Sequence, residues 1–466
     1  MTRSYSAPPR FAASRRSFIT TAGALTLGAL LVQPRAAAAA RADEPSDGSE
    51  STIRVLLRQA GGAVEGGVAR IVGEGLTLRD AASGRQIVET SEETRIRSDD
   101  GLHVQTRDGK WRGPFEGPIV AASERGSRTV KHLSGDESTA YRGRIEARAS
   151  GNGAVAVINV LPLEDYVQAV IPREMPAAFG TEAIRAQAMA ARSYALARRT
   201  TSSHRAQGAD VCDSTDCQVY GGTAAETQPH TAAARDTAGQ VVLRDQRVFL
   251  TMFSSACGGH TDSEGSLFSR LGSMPDAVPD GDLPSDLDLG TDDGVAAMME
   301  RATDCNCQQS PKYRWTVGWD GESLERSVLA GLRKLAGSSA VAPTLASGDA
   351  LGELRSLDVT GRSVSGRLRA VQVETTKGTW TVRRDWAIRQ ILVPTDSRVL
   401  SSTLVSLSMD RSAGGRIRQI RAQGAGWGHG AGLCQWGAKG LARKGLSYRE
   451  IVSFYYPNTE IGSVPG

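Results

Sequence analysis

Aromatic side chains are scarce in this chain: Phe, Trp and Tyr together make up 5% of its 466 residues. The interior must therefore be filled by Val, Leu, Ile and Ala. So few rings leave no basic stripe interleaved with aromatics, which a surface for single-stranded nucleic acid would need. A surplus of one charge is missing as well. The 55 basic and 51 acidic residues leave a net +4, so no nucleic-acid partner is expected and any anion must be met locally. Beyond residue 32 no apolar run reaches the ~20 residues of a membrane-spanning helix, and the mature chain is expected to have no membrane span. No internal repeat is visible. The acidic stretch 275–304 holds nine Asp or Glu against one Arg, without the ligand spacing of a calcium loop, and reads as a solvated insertion.

Glycine, by contrast, is abundant at 52 residues, which points to many turns and short strands. The length suffices for two or three ordinary domains or a large one with insertions. At the N-terminus, Ser14-Arg15-Arg16-Ser17-Phe18-Ile19 has the form of a twin-arginine export signal. The apolar stretch Ala22–Val32 and the alanine-rich Ala36–Ala42 complete it, so residues 1–42 read as a removable leader. The mature protein is then expected outside the cytoplasm, periplasmic or wall-associated. Export in the folded state leaves room for metal loading before it. A polar linker follows at 43–51.

The main body is 52–466, with a β-rich part at 52–160, a core part at 161–270, the acidic insertion and a C-terminal part at 305–466. From Thr52 to about Val160, short alternating segments separated by Gly predict antiparallel strands. At Thr181 the period changes. Thr181 is placed to cap a helix, and no Gly or Pro interrupts the run until Gly208. Alternation returns at Gln240–Ser255 and Leu354–Leu392, the latter turning at Lys377-Gly378. The class is α+β: mixed, mostly antiparallel sheets, a long Ala-rich helix, and a C-terminal Gly-rich loop with short helices forming a groove.

Glu174, in LPLEDYVQAVIPREMP, stands beside Met175 and Pro176 just ahead of the long helix. Partial burial there would raise its pKa, so that it holds a proton near neutrality and is able to donate it. Arg185 and Arg192 are seven residues apart on one face of the helix, among closely packing alanines. Buried arginines need partners. Two readings stand: internal pairs with Glu164, Asp165 or Glu182, or an anionic ligand held near Glu174. In GAGWGHGAGLCQWGAKG, five glycines from Gly424 to Gly432 surround Trp427 and His429, and Gln435-Trp436 begin the next helix. Trp on such a loop suits a sugar ring, although a tight structural turn is the simpler account.

The blocks LPLEDYVQAVIPREMPAAFGTEAIRAQAMAARSYALARR, DVCDSTDCQVYGG, FSSACGGHTDS, SPKYRW and GAGWGHGAGLCQWGAKGLARKGLSYREIVSFYYPNTEI, in this order, closely resemble the SpoIID/LytB family of sporulation-type peptidoglycan proteins. The resemblance runs from about Ile53 to Ile461. It implies an exported lytic transglycosylase that cleaves the β-1,4 bond after N-acetylmuramic acid and leaves 1,6-anhydro ends, with Glu174 as the lone catalytic acid and base. It places Arg185, Arg192, Tyr220, Trp427, His429 and Gln435 along the glycan. The family's amidase-enhancer label implies an alternative: a non-enzymatic peptidoglycan-binding protein that stimulates a partner amidase. A third reading is a secreted β-rich domain in which Glu174 merely pairs with Arg185.

Six cysteines, an even number, make disulfides the default outside the cytoplasm. The resemblance adds a structural zinc on His204, Cys212 and Cys217, although Asp216 stands where zinc-binding members would carry His. Cys257 and His260 form another compact pair. No cofactor is required for the glutamate chemistry.

Overall fold

The computed structural model describes residues 51–57, 67–123, 129–134, 137–151, 153–263, 275–281, 287–301, 304–413 and 415–464. The predicted export signal and the linker up to residue 50 lie outside the described residues. The architecture is α+β with mostly antiparallel sheets, as expected.

The alternating N-terminal segments build two sheets. A seven-stranded sheet has the order Val211–Cys212, Thr52–Leu56, Val155–Pro162, Arg144–Ala149, Ile119–Ser123, Leu76–Asp80, Gln86–Thr90. Its pairings are antiparallel except the parallel one between Thr52–Leu56 and Val211–Cys212. A six-stranded sheet runs Glu137–Arg142, Thr129–Ser134, Ala69–Val72, Thr94–Ser98, Leu102–Gln105, Trp111–Phe115. Strand Val155–Pro162 is apolar almost throughout because both its faces are covered. Val155, Val157 and Leu161 enter the main core, while Ala156, Ile158 and Val160 meet Leu56, Ala209 and Cys212 on the other side.

Helix α1 (Leu163–Glu174) follows that strand directly, and α2 (Thr181–Thr201) is the long Ala-rich helix. Thr181 is not its cap. Gly180 takes that position at φ 96°, a left-handed backbone that costs glycine little, and Thr181 is already helical. Ala183, Ala186, Ala188, Ala190, Ala191 and Ala195 are fully buried. Side chains this short let α1, α3 (Gln228–Asp236) and the two C-terminal helices close around α2.

A second core is formed by the sheet Val341–Ala342, Gly378–Arg383, Leu368–Thr375, Leu354–Arg362 and the three-stranded sheet Arg314–Asp320, Ile417–Ala425, Val405–Arg411. Helices α5 (Gly321–Lys334) and α6 (Asp385–Ile391) cover it through Leu324, Val328, Leu332 and Ile388. The acidic stretch is not simply a solvated insertion. It contains α4 (Asp292–Glu300), whose Val295 and Met298 are buried, and its Asp280 is fully buried. After the Gly-rich segment come α7 (Gln435–Arg443) and α8 (Tyr448–Tyr455), the latter opened by a Ser447/Glu450 capping box.

Candidate functional site

Glu174 is the last residue of α1 for a local reason. Met175 precedes Pro176, and the proline ring disfavours helical backbone in the residue before it. Met175 is accordingly extended (φ −140°, ψ 124°) and its side chain fully buried. The Glu174 carboxyl is thereby left partly buried at a helix C-terminus. Its Oε1 accepts a hydrogen bond from the Val219 N–H at 2.9 Å, and the Gln435 side chain bonds to it as well. Burial raises its pKa to about 7, against the opposing pull of those two hydrogen bonds. The partial negative charge of the helix end acts in the same direction as burial. Near neutrality the group is thus about half protonated and both donates and accepts hydrogen bonds.

Gln435 arrives from the C-terminal motif. Leu433–Cys434 pairs in parallel with Phe253–Ser254, and α7 starts with Gln435. The Gln435 amide reaches Gln187 of α2 at 3.4 Å, and Gln187 is fully buried with its amide nitrogen unpaired. Trp436, next along, lies 4.7 Å from the Phe179 ring between centroids. Lys439 Nζ stands 4.3 Å from the Trp436 ring and 5.1 Å from that of Phe179. Arg173 is exposed and has no carboxylate partner among the described residues. A Cβ on Gly221 would lie 2.7 Å from its Nε and 2.9 Å from the Ala225 Cβ. The sequence reading missed Phe179, Trp436, Lys439, Gln187 and Arg173 as site residues. Trp436 and Lys439, three apart on a helix, and Arg173, beside Glu174, were the available signals.

Other expected site residues fall elsewhere. Arg192 is fully buried and makes a two-pronged pair with Glu164 at 2.8 and 2.6 Å, with the Ala234 and Gln240 carbonyls also accepting from it. Arg185 bonds Glu182 and Asp236, each at 2.5 Å, and so ties α2 to α3. Both arginines take the internal-pair alternative, because α1 and α3 cover their helix face. Tyr220 is buried, donates to Asn159 at 2.7 Å and packs against Tyr141 and Tyr166. Trp427 is 41% exposed, with Lys312 Nζ 5.2 Å from its ring. His429 Nδ1 accepts from the Ala431 N–H at 3.0 Å, and burial pushes its pKa down to about 4, so it is neutral at physiological pH. Of the predicted glycan contacts, Gln435 alone is bonded to Glu174 among the described residues.

The Gly-rich segment is held by close backbone approach. At Gly432 (φ 68°) a Cβ would fall 2.0 Å from the Met252 carbonyl oxygen.

No disulfide joins the six cysteines. The disulfide default is corrected accordingly. His204, Cys212 and Cys217 do come together: their ligand atoms lie within 4.8 Å of one another, with His204 Nε2 and Cys217 Sγ 3.5 Å apart. Contact with the Cys217 thiol, and after it His204, pulls the Cys212 thiol well below its ordinary pKa, while the same contact pushes Cys217 up. Two sulfurs and an imidazole at this spacing fit zinc, with one coordination position left over, and Asp216 is outside the set. The Cys257–His260 pair does not form a ligand set. His260 Nδ1 instead bonds the Thr261 carbonyl at 2.6 Å, and Cys257 joins Asp280, Cys307 and Cys434.

A model of the family described as stage II sporulation protein (SpoIID) matches residues 151–243, and a domain of unknown function (DUF8618) matches 267–432. The chain is 31% identical over 310 residues to an uncharacterized protein of Brachyspira hyodysenteriae (strain ATCC 49526 / WA1), spanning 66% of this chain and 69% of that one. It is 29% identical over 313 residues to the amidase enhancer of Bacillus subtilis (strain 168), spanning 64% of this chain but 40% of the relative. Stage II sporulation protein D of the same strain is 27% identical over 314 residues, 65% of this chain and 74% of its own length. The amidase enhancer overturns the expectation of a lytic transglycosylase: its name describes a protein that enhances an amidase. The match to the sporulation model spans Glu174, α2 and the His204–Cys217 ligands, and the chain belongs to the SpoIID/amidase-enhancer family of sporulation stage II proteins.

Proposed function

We propose that this chain is an exported peptidoglycan-binding protein that stimulates a cell-wall amidase, with the surface around Glu174 contacting the glycan. The observation that carries the reading is the Glu174 carboxyl, held near half-protonation between Val219 and Gln435, with Trp436 the next residue along from Gln435 and packed on Phe179. Such a group matches sugar hydroxyls, which both donate and accept, and ring oxygens, which accept. An indole face suits the apolar face of a sugar ring. Arg173 and Lys439 answer the carboxylates that muramic acid and its peptides carry. Kinship with an amidase enhancer supports the stimulating role. The twin-arginine leader would deliver the chain to the wall, and no helix among the described residues is long and apolar enough to cross a membrane. A structural zinc on His204, Cys212 and Cys217 would brace the loop that supplies the Val219 donor.

The test combines purified sacculi with a cell-wall amidase, with and without the mature chain. Amide-bond cleavage should accelerate when the chain is present. Trp436→Ala should weaken sacculus binding roughly tenfold, the equivalent of about 1.4 kcal/mol for a lost aromatic contact. An unchanged amidase rate, or release of anhydro-ended fragments by the chain alone, would overturn the proposal.

A further inference from the structure

Cys257, Asp280, Cys307 and Cys434 come from four separate stretches of chain. Cys257 follows strand Phe253–Ser254, Asp280 sits in the acidic stretch, Cys307 in the turn at 305–310, and Cys434 is the N-cap residue of α7. All four are fully buried, and their ligand atoms lie within 4.8 Å of one another. The Cys257 and Cys307 sulfurs are 3.7 Å apart. A tetrahedral zinc site with Zn–S bonds of ~2.3 Å has a sulfur–sulfur edge of about 3.8 Å, whereas a disulfide requires ~2.0 Å. The spacing is that of two ligands on one ion.

The surroundings are those of a metal site too. Cys434 Sγ accepts from the Cys257 N–H at 3.2 Å and the Gly437 N–H at 3.3 Å. Asp280 takes the Tyr455 hydroxyl on Oδ1 at 2.5 Å and the Cys307 N–H on Oδ2 at 3.2 Å. Ligands oriented by such partners are the usual second layer of a metal centre. No Lys or Arg forms an ion pair with Asp280 among the described residues, so a carboxylate buried among thiols lacks a compensating cation from the protein.

We infer that Cys257, Asp280, Cys307 and Cys434 form a metal site, separate from His204–Cys212–Cys217, that takes a single zinc-type divalent ion. Three sulfurs and a carboxylate fill a tetrahedron and leave no open position, so the ion is structural. It pins the acidic stretch, the turn at 305–310 and the start of α7 to one another. Gln435, which bonds Glu174, is the next residue after a ligand. The twin-arginine signal in the sequence fits this chemistry, because thiols that fold before export meet metal before they meet oxidant. The inference does not depend on what the Glu174 surface binds.

The experiment uses the mature chain purified without chelator, with metal content measured by plasma mass spectrometry. In a Cys212→Ser/Cys217→Ser background a single equivalent of zinc should remain, and Cys434→Ser in that background should remove it. Asp280→Cys should keep the ion in a four-thiolate site. In an otherwise wild-type, cobalt-substituted chain, Asp280→Cys should intensify the thiolate-to-cobalt charge-transfer band relative to the wild type. That comparison stands even if the serine variants fail to fold. Absence of metal from the folded double variant, an unaltered cobalt spectrum in Asp280→Cys, or a mass-mapped disulfide among Cys257, Cys307 and Cys434 would each overturn the inference.

Discussion

Replacing Glu174 with Gln should make the protein more stable at pH 8 than the wild type, and no different at pH 4. In the fold, burial lifts this carboxyl from 4.5 to about 7. At about 1.4 kcal/mol per pH unit, that is a stability difference of up to about 3 kcal/mol, an upper value because the carboxyl is only partly shielded from water. The sign follows from proton counting. Between pH 4.5 and 7 the folded chain binds the proton and the unfolded chain does not, so wild-type stability falls as pH rises through this window. Below 4.5 both states are protonated and the contribution is fully present. Gln is isosteric with the protonated acid, still accepts from Val219, and has nothing to titrate. The difference between variant and wild type, taken from urea unfolding at a series of pH values, cancels every other titrating group. It should be near zero at pH 4, rise between 4.5 and 7, and level off above. A flat difference across this range would show that Glu174 is an ordinary solvated carboxylate and would refute the site as described.

Two other substitutions probe the frame around it. Glu164→Ala leaves the fully buried Arg192 without its anion and should cost about 3–5 kcal/mol by calorimetry or denaturant unfolding; a loss below about 1 kcal/mol, the level of a surface pair, would contradict the buried pairing. Gly432→Ala combines a positive φ with a clash against the Met252 carbonyl and should cost more than about 1 kcal/mol, whereas Gly445→Ala, where nothing lies within 4 Å, bears only the backbone strain of its φ of 92° and should cost less. Equal losses in the two glycine variants would show that the Gly-rich segment is not packed as closely as described.

Some of this was readable from the residues alone. An uninterrupted alanine-rich run made α2 plain, period-two alternation made the N-terminal sheets plain, and a carboxylate beside Met-Pro pointed to Glu174. The roles of the two helix arginines were not readable. Periodicity puts Arg185 and Arg192 on a common face, but what covers that face is settled by Glu164 and Asp236, 28 and 51 residues away in sequence. Asp280 was hidden for a different reason. Composition averages over nine acidic residues, and only long-range packing against Tyr455 and three thiols singles out the buried one. Trp427 drew attention by its glycine neighbours, yet the ring next in sequence to Gln435, which bonds Glu174, is Trp436, packed on Phe179.

The two cysteine clusters converge on one atom group. Val219, whose N–H bonds Glu174, comes two residues after Cys217; Gln435, the other partner, comes directly after Cys434. Each of Glu174's hydrogen bonds thus comes from a residue beside a different cysteine cluster, and each lowers a pKa that burial raises. Loosening either cluster removes a stabilising bond from the carboxylate and leaves desolvation less opposed. The apparent pKa of Glu174 should therefore climb above about 7 when metal is withdrawn, and should climb further when both sites are emptied than when one is. A carbon-13 NMR titration of the Glu174 carboxyl reads this directly in the folded protein. A titration midpoint that ignores metal removal would mean that the clusters brace the fold without positioning the site.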